Sequence, residues 1–252
     1  DDFAPRDLTH AFIVRSPHAH ATLSSVDTTA ASRMPGVVAV FTHAEAQEDD
    51  LSSMGIRALP PDFGGPQAYW PLRPILAVER VRFVGEPVAL VIAESIAEAK
   101  DAAEAVVVEY APLPAAATLE TALSDTATAL WDKAPRNICF THEVGDAGAA
   151  EAAFLAAAHV VDIEIANNRI SASPLEGRGA IGAYDPNEDR YTLRTSTQTP
   201  HRVREILADS VLDIPETGLR VIAGDVGGGF GMKGPTYPEE AMVLWAARRV
   251  RR

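Results

Sequence analysis

The chain has 252 residues with 35 acidic against 22 basic side chains, a formal charge of −13 that disfavours a nucleic-acid binder built on clustered positive charge. Its 47% hydrophobic and 23% charged residues belong to a globular protein rather than a disordered or fibrous one, and no apolar run approaches the ~18–20 residues that span a bilayer. A single cysteine, Cys139, excludes an intrachain disulfide framework and any iron–sulfur cluster held by this chain alone, because both need several thiolates.

The reducing cytoplasm is the simplest location for such a chain, and no signal-peptide pattern opens it. The apolar setting Asn137-Ile138-Cys139-Phe140 reads Cys139 as a packed small hydrophobe rather than a nucleophile.

In chain order, residues 7–16 read as a strand entering a turn at Pro17, 28–33 as a short helix, and 36–41 as a buried strand. From 44 to 72 the text is acidic and rich in Gly and Pro, including Asp62-Phe63-Gly64-Gly65-Pro66, and predicts a long surface loop. Strand patterns return at 77–84 and 87–93. Ser95 and Glu98 have the spacing of a capping box and predict a helix to about Ala105, with Ile96, Ala99, Ala103 and Val106 on one face. Residues 106–110 form the next strand, completing a strand–helix–strand unit that Pro112 and Pro114 end.

An alanine-rich bridge at 115–134 separates two sets of elements and places a domain boundary near 123–136, giving domains 1–122 and 123–252. Beyond it a helix is predicted at 149–158 and strands at 160–166, 179–184 and 191–196, the last two joined by a turn at 185–189. A helix at 202–211, a strand at 219–223 and a helix at 239–250 complete the chain. There is no internal repeat. The fold class is α+β or mixed α/β.

The most informative text is Gly224-Asp225-Val226-Gly227-Gly228-Gly229-Phe230-Gly231-Met232-Lys233-Gly234, between a strand and a helix. Such glycine density lets a backbone visit positive φ or approach a ligand closely, with its N–H groups aimed at an anion. A P-loop fails because Met232 precedes Lys233 and Gly234 follows it. A dinucleotide fingerprint can be forced on Gly229–Gly234, but Pro235 and Pro238 follow at once. A glycine-rich corner without a ligand is the remaining local alternative.

The 225–233 stretch resembles the molybdopterin-binding loop of the large subunits of xanthine dehydrogenase, aldehyde oxidase and bacterial carbon monoxide dehydrogenase. Arg15-Ser16-Pro17-His18-Ala19-His20-Ala21, Gly85-Glu86-Pro87-Val88-Ala89-Leu90-Val91-Ile92-Ala93 and Thr195-Ser196-Thr197-Gln198-Thr199-Pro200 resemble other segments of that family, in the same order. The resemblance implies an α/β hammerhead domain followed by the start of a molybdopterin-binding α+β domain, together roughly the first third of a large subunit, and hence a fragment or truncated product.

The resemblance further implies that Gln198 sits beside the molybdenum as a neutral amide bonded to an oxygen ligand, a role in the catalytic centre that needs no charge. Gly228, Gly229, Phe230, Gly231 and Met232 would line the cofactor, with Phe230 as an aromatic wall; read alone, Phe230 is equally a core anchor for the following helix. The family's catalytic glutamate would lie outside this chain, so the chain by itself is expected to be inactive. Gly234 stands where purine-oxidising members carry a substrate-binding glutamate, placing the chain nearer the carbon monoxide dehydrogenase-like branch, whose members include hydroxylases of aldehydes and N-heterocycles. The intact assembly would hold molybdopterin, in its cytosine dinucleotide form, with Fe–S and FAD partner subunits, as a dimer of heterotrimers. A noncatalytic assembly module and a nucleotide-binding protein are the rival readings.

His18 and His20 have a metal-like spacing without a third ligand nearby and read as structural. Glu176 and Arg178 read as an ion pair supporting the fold, and the basic end Arg248-Arg249-Val250-Arg251-Arg252 as a complement to a helix dipole. A chain of this kind is also expected to expose apolar surface.

Overall fold

The computed structural model describes residues 3, 5, 7–55 and 68–251, so Asp62-Phe63-Gly64-Gly65-Pro66 lies outside the described residues. The first half runs β1 (His10–Arg15), β2 (Ala21–Asp27), β3 (Val37–Phe41), α1 (His43–Glu48), β4 (Arg80–Val81), β5 (Pro87–Ala93), α2 (Ile96–Glu104) and β6 (Val107–Pro112). A single turn of 3-10 helix, Ala31–Arg33, stands where the short helix is expected. β5 lies between antiparallel β1 and β3, and every one of its residues is buried, as an unbroken Val-Ala-Leu-Val-Ile-Ala run requires of a central strand. β2 lies between antiparallel β4 and β6.

The strand–helix–strand unit is present in chain order, but β6 pairs with β2, so its two strands belong to different sheets. Ser95 Oγ caps α2 by accepting from the Glu98 N–H at 3.2 Å, while the Glu98 carboxylate accepts the Ser95 hydroxyl at 2.7 Å instead of closing the second half of the box. Ala99, Ala102 and Ala103 form its buried side and Val106, beyond its end, is buried with them; Ile96 is exposed.

Two expectations here need correction. The strand at 77–84 contracts to the two residues of β4, because Glu79 adopts a left-handed conformation at φ 52 that interrupts the extended run. The loop from 44 onward opens with a helix: Thr42 Oγ1 accepts from the Ala44 N–H, the Glu45 carboxylate accepts the Thr42 N–H at 2.6 Å, and Ala46 is buried in the core. β2 carries no sequence signal of its own, since Ser24, Ser25 and Asp27 break its apolar alternation.

The second half contains α3 (Leu119–Leu123), α4 (Ala147–Ala156), β7 (Ala180–Asp185), β8 (Arg190–Thr195), α5 (Pro200–Ile206), β9 (Leu219–Ile222) and α6 (Pro238–Val250). β7 and β8 form an antiparallel hairpin and β9 joins β8 in parallel. α5 continues into a π-helical segment, Leu207–Leu212, ended by Asp213 in the left-handed region. The strand expected at 160–166 forms no ladder among the described residues, and Val161, Ile163 and Ile165 are about four-fifths exposed, at 80%, 75% and 80%. Alternation alone cannot make a strand where no neighbour offers hydrogen bonds.

One core joins the two halves: Phe41, Met54, Leu76 and Leu90 pack in the same cluster as Leu193, Leu207, Met242 and Trp245. The Phe41 and Trp245 rings lie 4.8 Å apart, and the Trp245 indole N–H and the Arg249 Nε both donate to Asp49 Oδ2, at 2.6 and 2.5 Å. The basic end of α6 is thus anchored on α1 and on Glu48 as well as complementing its own dipole. α6 lies against β7 at Gly182, where a Cβ would stand 2.7 Å from the Leu244 nitrogen.

Candidate functional site

The glycine loop leaves the end of β9 and returns at Tyr237, the residue before α6. Three of its residues occupy the left-handed region, Gly228 at φ 90, Phe230 at 50 and Gly231 at 85, so the chain doubles back and closes with a Met232 N–H bond to the Gly229 carbonyl at 2.8 Å. Among the described residues the amide N–H groups of Gly229, Phe230 and Gly231 meet no acceptor. The Phe230 ring stands over Gly228 and is 79% exposed, so Phe230 is a wall on the surface and not a core anchor.

Gln198 is brought onto this turn. It follows β8 and precedes α5, and its side chain rests on buried Gly229, where a Cβ would lie 2.5 Å from Oε1. Three bonds lace its segment to the far side of the loop: the Gln198 N–H and the Thr197 hydroxyl donate to the Lys233 carbonyl at 2.9 and 3.1 Å, and the Thr199 hydroxyl donates to the Gly234 carbonyl at 2.7 Å. Met232 is half-buried, its carbonyl accepting the Tyr237 hydroxyl at 2.5 Å. Gln198, Gly228, Gly229, Phe230, Gly231 and Met232 therefore meet in one place.

Beneath the loop the ion pairs differ from the expected Glu176–Arg178 pair. Glu176 does not pair with Arg178; its Oε2 accepts the Gly227 N–H at 2.8 Å and forms an ion pair with Lys233, whose side chain is wholly buried. Arg178 instead pairs with Glu239 at 3.4 Å and stacks 3.5 Å above the Tyr237 ring. Sequence proximity favoured the first pairing, whereas folding carries position 233 back to 176. The ammonium of Lys233, then the Gly227 N–H, hold the Glu176 carboxyl below its ordinary value.

At the start of α6, burial raises and hydrogen bonds lower the Glu239 carboxyl, and its bond to Arg15 at 2.7 Å leaves it lowered overall. Burial dominates at Glu240 and pushes its carboxyl up, although it accepts from the Thr195 hydroxyl at 2.7 Å and the Tyr237 N–H at 3.0 Å. Neither glutamate was singled out by the sequence, because acidic residues in a first helical turn are routine.

The other candidates lie elsewhere. His20 is buried with Nδ1 2.9 Å from the Pro114 carbonyl, and His18 packs on Tyr110 with ring centres 4.8 Å apart. Cys139 is a half-buried free thiol. Gly229–Gly234 does not open a helix directly, since Pro235, Thr236 and Tyr237 intervene before α6, so the loop lacks the helix N-terminus a dinucleotide fingerprint uses.

The molybdopterin group implied by the resemblance fits these residues. Unpartnered amides, a neutral carboxamide and an uncharged glycine floor suit oxygen or sulfur acceptors arriving from the exposed side, and side chains are excluded where a backbone must approach closely.

Comparison with known proteins agrees. A model of the aldehyde oxidase and xanthine dehydrogenase a/b hammerhead domain matches residues 1–114, and one of the molybdopterin cofactor-binding domain matches residues 130–252. The nicotine 6-hydroxylase large subunit of Paenarthrobacter nicotinovorans is 37% identical over 248 residues, covering 96% of this chain and 29% of the relative. The carbon monoxide dehydrogenase large chain of Hydrogenophaga pseudoflava is 34% identical over 259 residues, covering 98% and 31%. The crystal structure of quinoline 2-oxidoreductase from Pseudomonas putida 86 superposes with a TM-score of 0.85 at 36% identity, over 100% of this chain and 31% of that one. The chain spans about a third or less of the length of these relatives, 29% to 31%. Taken together, the paired domain matches and the shared fold show that it belongs to the xanthine dehydrogenase, aldehyde oxidase and carbon monoxide dehydrogenase family of molybdopterin-binding large subunits.

Proposed function

We propose that this chain forms one wall of the cofactor site in a molybdenum hydroxylase that oxidises an aldehyde, an N-heterocycle or a similar small molecule. The observation that carries the reading is the seating of the Gln198 amide on Gly229, beside three unpartnered amides and an exposed aromatic ring. When bound, the cofactor supplies a two-electron acceptor and an oxygen derived from water. Gln198 orients the group by donating from its carboxamide, Gly229–Gly231 offer backbone N–H donors, and Phe230 covers one side and excludes water. The general base is expected from polypeptide that these residues face, together with the rest of the large subunit.

The cytosine dinucleotide form of molybdopterin, Fe–S and FAD partner subunits, and a cytoplasmic location belong to the same proposal. The single cysteine supports placing the clusters on other polypeptide. A domain division at 122/123 is supported by the gap between the two family matches, 1–114 and 130–252. Among the described residues no helix is long and apolar enough to cross a membrane.

The test is molybdenum and pterin content of the large subunit purified from its native host with its partners, beside Gly229→Val. Near-stoichiometric metal in the parent, falling to about a tenth in the variant, is expected from a side chain forced into the site. A parent without metal or pterin overturns the proposal.

A further inference from the structure

We propose that Glu176 and Lys233 are positioning residues: their ion pair beneath the glycine loop holds the Gly229, Phe230 and Gly231 amides and the Gln198 carboxamide in register for the cofactor. The inference rests on the molybdenum hydroxylase reading and deepens it.

A single carboxylate oxygen, Glu176 Oε2, takes both the Gly227 N–H at 2.8 Å and the Lys233 ammonium. These partners stand on opposite rims of the loop, so one side chain from a neighbouring segment staples it at both ends. The fit at Gly227 is close, since a Cβ there would lie 2.7 Å from Glu176 Cβ.

Lys233 links the staple to Gln198. Its side chain is 0% exposed, while that of Glu176 is 41% exposed, and among the described residues Glu176 is the carboxylate that balances it. A buried ammonium without a counter-charge is expelled toward water or loses its proton. The carbonyl of this same residue accepts from the Gln198 N–H and the Thr197 hydroxyl. Displacing Lys233 therefore displaces the backbone that sets Gln198, although neither member of the ion pair need touch the cofactor.

The test uses the complete multi-subunit enzyme from its native host. Glu176→Gln keeps an acceptor for Gly227 but strands the ammonium; Lys233→Met removes that charge at similar volume. Molybdenum and pterin per subunit, the first-order rate of molybdenum release on mild warming, and the melting temperature are measured for each single variant and the pair. Glu176→Gln is expected to release molybdenum about tenfold faster, and adding Lys233→Met to bring the rate back within about threefold of the parent, because the uncompensated charge drives the displacement.

A purely structural ion pair would lower the melting temperature and leave release unchanged. Release within about twofold of the parent in Glu176→Gln, while Gly229→Val still falls to about a tenth of the parent's metal, overturns the positioning role and leaves the broader reading intact. A parent without molybdenum overturns both. Should Glu176→Gln not assemble, Glu176→Asp keeps the charge but shortens its reach, and the same acceleration is required of it; an unchanged rate refutes the proposal.

Discussion

Gln198 and Gly229 are in such close contact that position 229 has no room for a methyl group: a Cβ would lie 2.5 Å from the Gln198 Oε1 and 2.7 Å from its Cδ. The obstructing atoms are the far end of a flexible, exposed side chain, so Gly229→Ala is expected to fold normally and turn Gln198 away. Melting within ~2 °C of the parent, with clear loss of molybdenum from the native complex, is the expected pattern. A variant that keeps its metal would remove Gln198 from the site.

Phe230 holds a left-handed backbone conformation at φ 50 with its ring 79% exposed. Phe230→Gly relieves ~1–2 kcal/mol of backbone cost and gives back ~0.5–1 kcal/mol in chain entropy, so stability should stay equal or rise by about 1 kcal/mol. Denaturant unfolding checks this. A loss of about 3 kcal/mol, the cost of removing a core aromatic, would restore the anchor role.

Gly182 controls how closely α6 approaches β7. Its substituent would meet the Val243 carbonyl and the Leu244 nitrogen, both parts of a helix backbone that cannot step aside alone. Gly182→Ala should destabilise the chain by about 1–3 kcal/mol, measured by urea unfolding. Unchanged stability would mean that α6 slides freely on the sheet.

The Glu240 carboxyl is raised by burial, which outweighs its bonds to Tyr237 and Thr195. A group raised in the folded state contributes stability that is fully present below its unfolded value, ~4.3, and lost as pH rises through the folded value. Glu240→Gln should therefore match the parent at low pH and gain relative stability as pH rises toward neutrality, its amide oxygen accepting from the Tyr237 N–H and its NH2 donating to a Thr195 hydroxyl that turns to accept. Parallel stability curves for parent and variant would refute the assignment.

Val161, Ile163 and Ile165 make an alternating apolar row that is 75% to 80% exposed. The 252-residue chain should bind a hydrophobic dye strongly, and replacing the three by threonine should reduce binding without lowering the melting temperature, since side chains this exposed lose little packing. Dye binding no stronger than that of a compact monomer would show the row to be covered.

Legibility followed the range of the interaction. The Ser95 cap of α2, the apolar run of β5, the 185–189 turn and the glycine loop are each specified within a few residues, and all were readable. α1 was hidden although Thr42 and Glu45 spell its cap, because the surrounding acidic text resembles a loop. β2 was hidden because its ladder partners, β4 and β6, supply what its own alternation lacks.

By itself the sequence determined the mixed α/β class, the two sets of elements and the residues resembling a cofactor loop, since composition, periodicity and a contiguous motif are properties of local text. Only the tertiary structure decided that Glu176 belongs with Lys233, that Gln198 rests on Gly229, that Phe230 faces outward and that residues 160–166 join no ladder among the described residues. Each of these depends on which distant segments meet, and a buried charge or an unsatisfied backbone group is defined by its surroundings in space.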